Sequence, residues 1–97
     1  MNRQEINNTI VNYLEPYRPL RIGVFGSYAR QEQTSGSDID ILVRFKDTIS
    51  LLDLARIHRE LSYLLGIKVD IVTEGALKNE KLKSYIYQDL QMILDEE

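Results

Sequence analysis

The sequence predicts an α/β domain in which helices pack on a small β-sheet. Two observations lead to this prediction: helical and strand patterns alternate along the chain, and 97 residues are enough for one domain with little left for a second. Apolar residues make up 43% of the chain and charged residues 28%, which is typical of a globular protein. We therefore expect a single domain over residues 1–97.

The first part of the chain predicts a helix followed by a strand. Apolar side chains recur at helical spacing within residues 3–14, and Asn2 with Glu5 has the form of a capping box. Two prolines then interrupt the helix, because proline lacks the backbone N–H that a helix interior needs. Residues 20–25 form a short apolar run, which predicts the first strand and ends at Gly26.

The remaining elements continue the alternation of helix and strand. Residues 28–31 predict a short helical turn, and residues 38–45 predict a second strand whose successive side chains face opposite sides. A long helix follows over residues 51–65, then a third strand over residues 67–72 and a last helix over residues 81–94. This order is typical of a small sheet that is covered by helices.

The composition argues against several classes of function. The absence of cysteine excludes a disulfide framework and a thiolate metal site. The first residues lack the apolar core of a signal peptide and no run approaches transmembrane length, so we expect a soluble cytoplasmic protein without a membrane partner. Twelve basic and 15 acidic residues give a net charge of −3, which makes nucleic acid a poor partner by charge alone.

Three acidic residues stand in apolar strands, where aspartate is uncommon. Asp38 and Asp40 are two residues apart, so their Cα atoms lie roughly 6.6 Å apart on one face of the strand, close enough to share a divalent cation. Asp70 repeats the pattern on the third strand and would meet them if the two strands are neighbours. The alternative for each is an acid on a solvated strand face or strand end, and the spacing alone leaves both interpretations open.

The first strand ends in Gly26-Ser27, which is the second candidate site. A strand that turns into a short helix aims backbone N–H groups outward and so favours an anion, to which the Ser27 hydroxyl could add a donor or cap the helix. The only cation in the following loop is Arg30, which could face a phosphate or pair with Glu32 or another surface acid. Residues 33–37 have the composition of a turn, and the loop lacks the lysine of a P-loop.

Taken together, these features resemble a known family. The segment "GSYARQEQTSGSDIDILV", with Asp70 on a later strand, is similar to the signature of the nucleotidyltransferase superfamily related to DNA polymerase beta. The resemblance is greatest to its minimal single-domain members, the MNT proteins, and it extends over most of the chain through the order of helices and strands. It implies the nucleotidyltransferase fold, a small mixed sheet with helices packed on it.

The resemblance also implies roles for the candidate residues. Asp38 and Asp40 would ligate magnesium, two ions being typical, and Asp70 would complete the metal site or take the proton from the attacking hydroxyl. A second set of residues would hold the phosphates of a nucleotide: Gly26 and Ser27 at the β- and γ-phosphates, with Arg30 and Ser37 as neighbours. The implied reaction transfers a nucleoside monophosphate from a nucleoside triphosphate to a hydroxyl group and releases pyrophosphate.

Minimal members of this family are commonly partnered with a HEPN protein, a helical nuclease toxin. The resemblance therefore implies an ATP- and magnesium-dependent adenylyltransferase that modifies a toxin tyrosine and acts as an antitoxin, in a possible hetero-oligomer with its target. Two alternatives remain. The domain could neutralise its partner by binding without catalysis, or it could modify a small molecule or nucleic acid together with a separate helical subunit.

Overall fold

The computed structural model describes residues 1–32, 34 and 36–97. Within them the chain forms four α-helices and four strands, with a turn of 3₁₀ helix after the first helix and another after the third strand. The helices are α1 (Arg3–Leu14), α2 (Gly26–Ala29), α3 (Leu51–Leu65) and α4 (Glu80–Asp89). The strands are β1 (Pro19–Phe25), β2 (Ile39–Phe45), β3 (Val69–Thr73) and β4 (Gln91–Asp95).

The strands form one sheet in the order β3-β2-β1-β4. β1 runs antiparallel to both of its neighbours, whereas β2 and β3 are parallel. β2 and β3 can be parallel because α3 connects them and carries the chain back to the end of the sheet at which β2 begins. The observed architecture confirms the predicted fold class, an α/β arrangement of helices on a small mixed sheet.

Capping contacts explain where α1 and α3 begin and where α3 ends. The Asn2 side chain accepts a hydrogen bond from the Glu5 N–H at 2.8 Å, and the Glu5 carboxylate accepts one from the Asn2 N–H at 3.0 Å, which confirms the capping box. The Ser50 hydroxyl accepts the Asp53 N–H at 3.0 Å at the start of α3. Gly66 ends α3 in the left-handed conformation, with φ of +67°.

The predicted last helix over residues 81–94 is wrong in its second half. α4 ends at Asp89, Leu90 adopts an extended backbone, and the next five residues form β4. β4 pairs with β1 and places Leu94 opposite Ile22. A short apolar run fits either a helix or a strand, and here the backbone hydrogen bonds offered by β1 decide between them. The third strand begins at Val69, two residues later than expected.

The two faces of the sheet are covered unequally. α1 and α3 pack on one face around a core that includes Ile10, Ile41 and Leu61. α4 packs on the opposite face over a smaller cluster, which consists of Phe25, Leu42, Leu77 and Ile86. Because successive strand residues point to opposite faces, Asp40 lies on the side of the smaller cluster. This sparsely covered face is therefore where the candidate site is found.

No helix in the described part of the chain is long and apolar enough to cross a membrane. The expected cytoplasmic location stays a prediction.

Candidate active site

The register of β2 and β3 brings two of the candidate acids together. Asp40 and Asp70 are Cα partners across the parallel pair, with apolar partners on either side of them in the register. Neighbouring strands lie about 4.8 Å apart, so side chains at the same level of the same face are in each other's reach. The strand order thus places Asp70 beside Asp40, as the sequence required for a shared site.

Asp38 joins the pair from the residue just before β2. It lies close enough to Asp70 for both carboxylates to contact the same lysine. The ammonium nitrogen of Lys68 lies 3.6 Å from Asp38 Oδ2 and 3.9 Å from Asp70 Oδ1. The three carboxylates therefore form one group, which we call the carboxylate cluster (Asp38, Asp40 and Asp70), with a lysine at its solvent side.

The cluster raises the pKa of its own members. Burial raises the pKa of Asp40, and the negative charges of Asp70 and Asp38 raise it further, while Arg30 opposes the shift. Burial also raises the pKa of Asp70, as does the nearby Asp38 carboxyl group, and the positive charge of Lys68 opposes this. The charged forms of Asp40 and Asp70 are thus disfavoured, which a bound cation would reverse.

Gly26 connects the Gly-Ser turn to the cluster. Its φ is +71°, a conformation that L side chains rarely adopt, and a Cβ at this position would clash with Asp40 Oδ2. Only glycine lets the backbone at the start of α2 approach the Asp40 carboxylate this closely. The turn and the carboxylate cluster are consequently parts of one site.

Ser27 lies in the first turn of α2 and does not cap it. The N-cap is Phe25, and no side chain among the described residues makes a cap hydrogen bond to this helix. The expectation that Ser27 caps the helix is wrong because α2 begins at Gly26, two residues earlier than predicted, which moves Ser27 inside the helix. Ser27 itself is partly exposed, next to the glycine that contacts the cluster.

Arg30 follows α2 and pairs with two acids. Its Nε lies 2.6 Å from Glu32 Oε1 and its Nη1 lies 2.8 Å from Asp89 Oδ2. The hydrogen bonds with Glu32 and then Asp89 raise the pKa of the guanidinium above its ordinary value. The alternative of a surface ion pair is therefore realised in this structure, and a phosphate would have to compete for the same guanidinium.

Ser37 belongs to a tight turn ahead of β2. Its hydroxyl accepts a hydrogen bond from the Thr34 N–H at 2.9 Å, and its own N–H donates to the Thr34 carbonyl at 3.0 Å. The predicted turn over residues 33–37 includes Gln33 and Ser35, which lie outside the described residues. Ser37 directly precedes Asp38 and therefore lies next to the carboxylate cluster.

The carboxylate cluster fits magnesium by the chemistry of its donors. Carboxylate oxygens are the ligands that Mg²⁺ prefers, and the cluster offers three carboxylates. As the side chains stand, no three or more Asp, Glu, His or Cys residues in the described ranges converge in the arrangement of a metal site. In this arrangement Asp40 Oδ2 faces Gly26, and the Lys68 ammonium lies within 4 Å of both Asp38 and Asp70.

Two charged residues near this site, Lys68 and Asp89, were not predicted from the sequence. Lys68 had a detectable signal, since it precedes Asp70 by two positions and so points to the same side of the chain. Asp89 had none, because its contact with Arg30 depends on where α4 ends relative to α2. The ion-pair partners of both residues are determined by the folded structure and cannot be identified from the local sequence pattern.

A small mixed sheet with a Gly-Ser turn set against strand-borne carboxylates defines a class of nucleotide-transferring domain. The sequence model of the nucleotidyltransferase domain family matches residues 8–93, so the chain belongs to this family and is a nucleotidyltransferase. This finding confirms the resemblance detected in the sequence.

Individual relatives agree with this assignment. A Methanocaldococcus jannaschii protein, named as a protein adenylyltransferase, is 53% identical over 76 residues, which are 78% of each chain. Protein adenylyltransferase MntA of Thermococcus cleftensis is 45% identical over 72 residues, which are 74% of this chain and 73% of the relative. A crystal structure of a toxin–antitoxin with AMP-PNP superposes with a TM-score of 0.81 at 25% identity, over 92% of this chain and 73% of that one.

Proposed function

We propose that this nucleotidyltransferase transfers AMP from ATP to a tyrosine hydroxyl of a HEPN-family toxin and thereby acts as its antitoxin. Relatives named as protein adenylyltransferases support the type of reaction, and the similar toxin–antitoxin structure with AMP-PNP, an ATP analogue, supports the nucleotide and the kind of partner. The observation that carries the proposal is the approach of Gly26 to the Asp40 carboxylate, beside Asp70. It brings the turn that we propose to bind phosphate next to the acids that would bind the metal.

The reaction is an in-line displacement at the α-phosphorus of ATP. The acceptor oxygen forms a bond to that phosphorus, the bond to the bridging oxygen of the β-phosphate breaks, and pyrophosphate leaves with the electron pair. Asp70 lies beside Asp40 in the strand register, and we propose that it either completes the metal site or accepts the hydroxyl proton. Magnesium held by Asp38 and Asp40 would neutralise charge on the phosphates and favour the ionised acceptor.

The other predicted residues would bind and orient the triphosphate. Backbone N–H groups at Gly26 and Ser27 are proposed to contact the β- and γ-phosphates, and the Ser27 hydroxyl adds a donor. Arg30 would exchange its carboxylate partners for a phosphate oxygen, and Ser37 would lie next to it. These contacts use backbone dipoles and one guanidinium, which suits a chain whose net charge is −3.

The test uses the protein together with the product of its neighbouring gene as the toxin to be tested. Both are incubated with Mg²⁺ and ATP labelled at the α-phosphate, and the label is located by peptide mass spectrometry. We expect label on a tyrosine of the partner, its loss without Mg²⁺, and its loss in the Asp38→Asn, Asp40→Asn double variant.

The same double variant separates catalysis from binding. If it neutralises the toxin as well as the wild-type protein does, the antitoxin acts by binding alone and the catalytic proposal is wrong. Label on a small molecule or on nucleic acid, with none on the partner protein, would replace the proposed acceptor.

A further inference from the structure

Lys68 is a charged residue of the site that the proposed reaction does not use. Its ammonium lies 3.6 Å from Asp38 Oδ2 and 3.9 Å from Asp70 Oδ1, between two of the proposed metal ligands. The Lys68 carbonyl accepts a hydrogen bond from the Ile39 N–H at 2.9 Å, which fixes the lysine backbone beside the first residue of β2. The position of this lysine is thus set by the same strand pairing that sets the carboxylates.

The Lys68 side chain is exposed enough to be displaced from the two carboxylates. Its side chain is 61% exposed, compared with 34% for Asp38 and 44% for Asp70. Ion pairs this exposed contribute little to stability, because water screens the charges and ordering two side chains costs entropy. A cation with two charges that binds the same oxygens can therefore displace the ammonium without disturbing the core.

We propose that Lys68 is an internal counter-ion, which partly neutralises the carboxylate cluster and competes with divalent cations for Asp38 and Asp70. The inference rests on the proposed function only in taking these carboxylates as metal ligands. A lysine in this position lowers the repulsion between the acids of the metal-free protein. It also weakens metal binding, since the ammonium must move before both carboxylates face the metal.

The direct test measures Mn²⁺ binding to the nucleotide-free protein, using the electron paramagnetic resonance signal of free Mn²⁺. We expect Lys68→Met to lower the Kd by about three- to tenfold, as removal of one exposed competing charge should. Lys68→Arg keeps the charge and should bind Mn²⁺ no more tightly than the wild-type protein.

Lys46→Met is the matched control for net charge. Lys46 is exposed and follows β2, at the opposite end of the strand from Asp38, roughly 26 Å away at the rise of a strand. This distance exceeds the Debye length of about 8 Å at physiological salt, so its removal should leave the Kd nearly unchanged. An equal effect of both variants would reduce the result to a general charge effect and overturn the proposal.

Other outcomes are also decisive. Unchanged or weaker Mn²⁺ binding by Lys68→Met would overturn the competition, as would a failure of every variant to bind Mn²⁺. The proposed reaction is tested separately by label transfer with Mg²⁺ and ATP, so either idea can fail while the other stands.

A second measurement needs no metal. In EDTA, Lys68→Met should lower the melting temperature of the wild-type protein slightly, but not that of the Asp38→Asn, Asp70→Asn variant, since the lysine has then lost both carboxylates that it contacts. Additive effects of the lysine and aspartate substitutions would show that Lys68 is not the counter-ion of these carboxylates.

Discussion

At the scale of single residues, Gly26 has both a backbone and a side-chain reason to be glycine. Gly26→Ala places a Cβ against Asp40 Oδ2 in a left-handed conformation, which costs about 1–2 kcal/mol for an L residue. We expect a lower melting temperature and loss of adenylyl transfer, because the Asp40 carboxylate must move. Gly66→Ala is the control: its φ is +67° and no atom of the described residues lies within 4 Å of the new Cβ, so it should also lose stability but keep the activity. Full activity of Gly26→Ala would contradict the assigned contact.

The role of Arg30 depends on whether it binds carboxylates or a phosphate. In this structure it pairs with Glu32 and Asp89, and we propose that a nucleotide phosphate replaces them. Arg30→Gln should therefore weaken ATP binding by roughly tenfold, the effect of one charge-assisted hydrogen bond. The readout is calorimetric titration with Mg²⁺ and a non-hydrolysable ATP analogue. The control is Arg18→Gln, which removes an exposed arginine paired with Asp47 and should leave the affinity unchanged. An equal loss of affinity in both variants would contradict a specific contact between Arg30 and the phosphate.

At the scale of elements, Leu90 marks where α4 ends and β4 begins. A Cβ at Gly23 would lie 2.6 Å from Leu90 Cδ1 and 3.2 Å from Met92 Sδ, so Gly23→Ala overpacks the junction. We expect a loss of about 1–3 kcal/mol in the free energy of unfolding, measured by urea denaturation. Leu90→Val in the same chain should recover part of it, because the shorter side chain makes room. Strictly additive losses would show that Leu90 does not pack on β1 and that the end of α4 lies elsewhere.

The elements also show what could be predicted from the sequence. α1 and α3 were predicted at the observed bounds, because periodicity and caps are local signals that tertiary packing reinforced. β4 was missed because its pairing partner, β1, precedes it by some 70 positions and leaves no mark on the local pattern. The acids of the candidate site were singled out by their spacing together with the resemblance to the family signature. Asp89 could not be predicted, since its contact with Arg30 exists only in the folded chain.

At the scale of the whole molecule, the carboxylate cluster links stability to pH and to metal. Burial and like charge raise the folded-state pKa of Asp40 and Asp70 above the ordinary value of 3.8. Over the interval between the unfolded and folded pKa values the folded chain keeps protons that the unfolded chain has released. The free energy of unfolding therefore falls as the pH rises through that interval, and the penalty persists at neutral pH.

Asp40→Asn should remove this penalty from the metal-free protein. In EDTA we expect its melting temperature to exceed that of the wild-type chain at pH 7, with a smaller difference at pH 3, where Asp40 is protonated in both states. Addition of Mg²⁺ should raise the melting temperature of the wild-type protein more than that of the variant, because only the wild-type chain keeps every proposed ligand. Asp47→Asn changes an exposed acid outside the cluster and should give no gain at either pH. If Asp40→Asn is less stable than the wild-type protein at pH 7 in EDTA, the Asp40 carboxylate stabilises the metal-free fold. The proposal that this carboxylate lowers the stability of the metal-free protein would then be wrong.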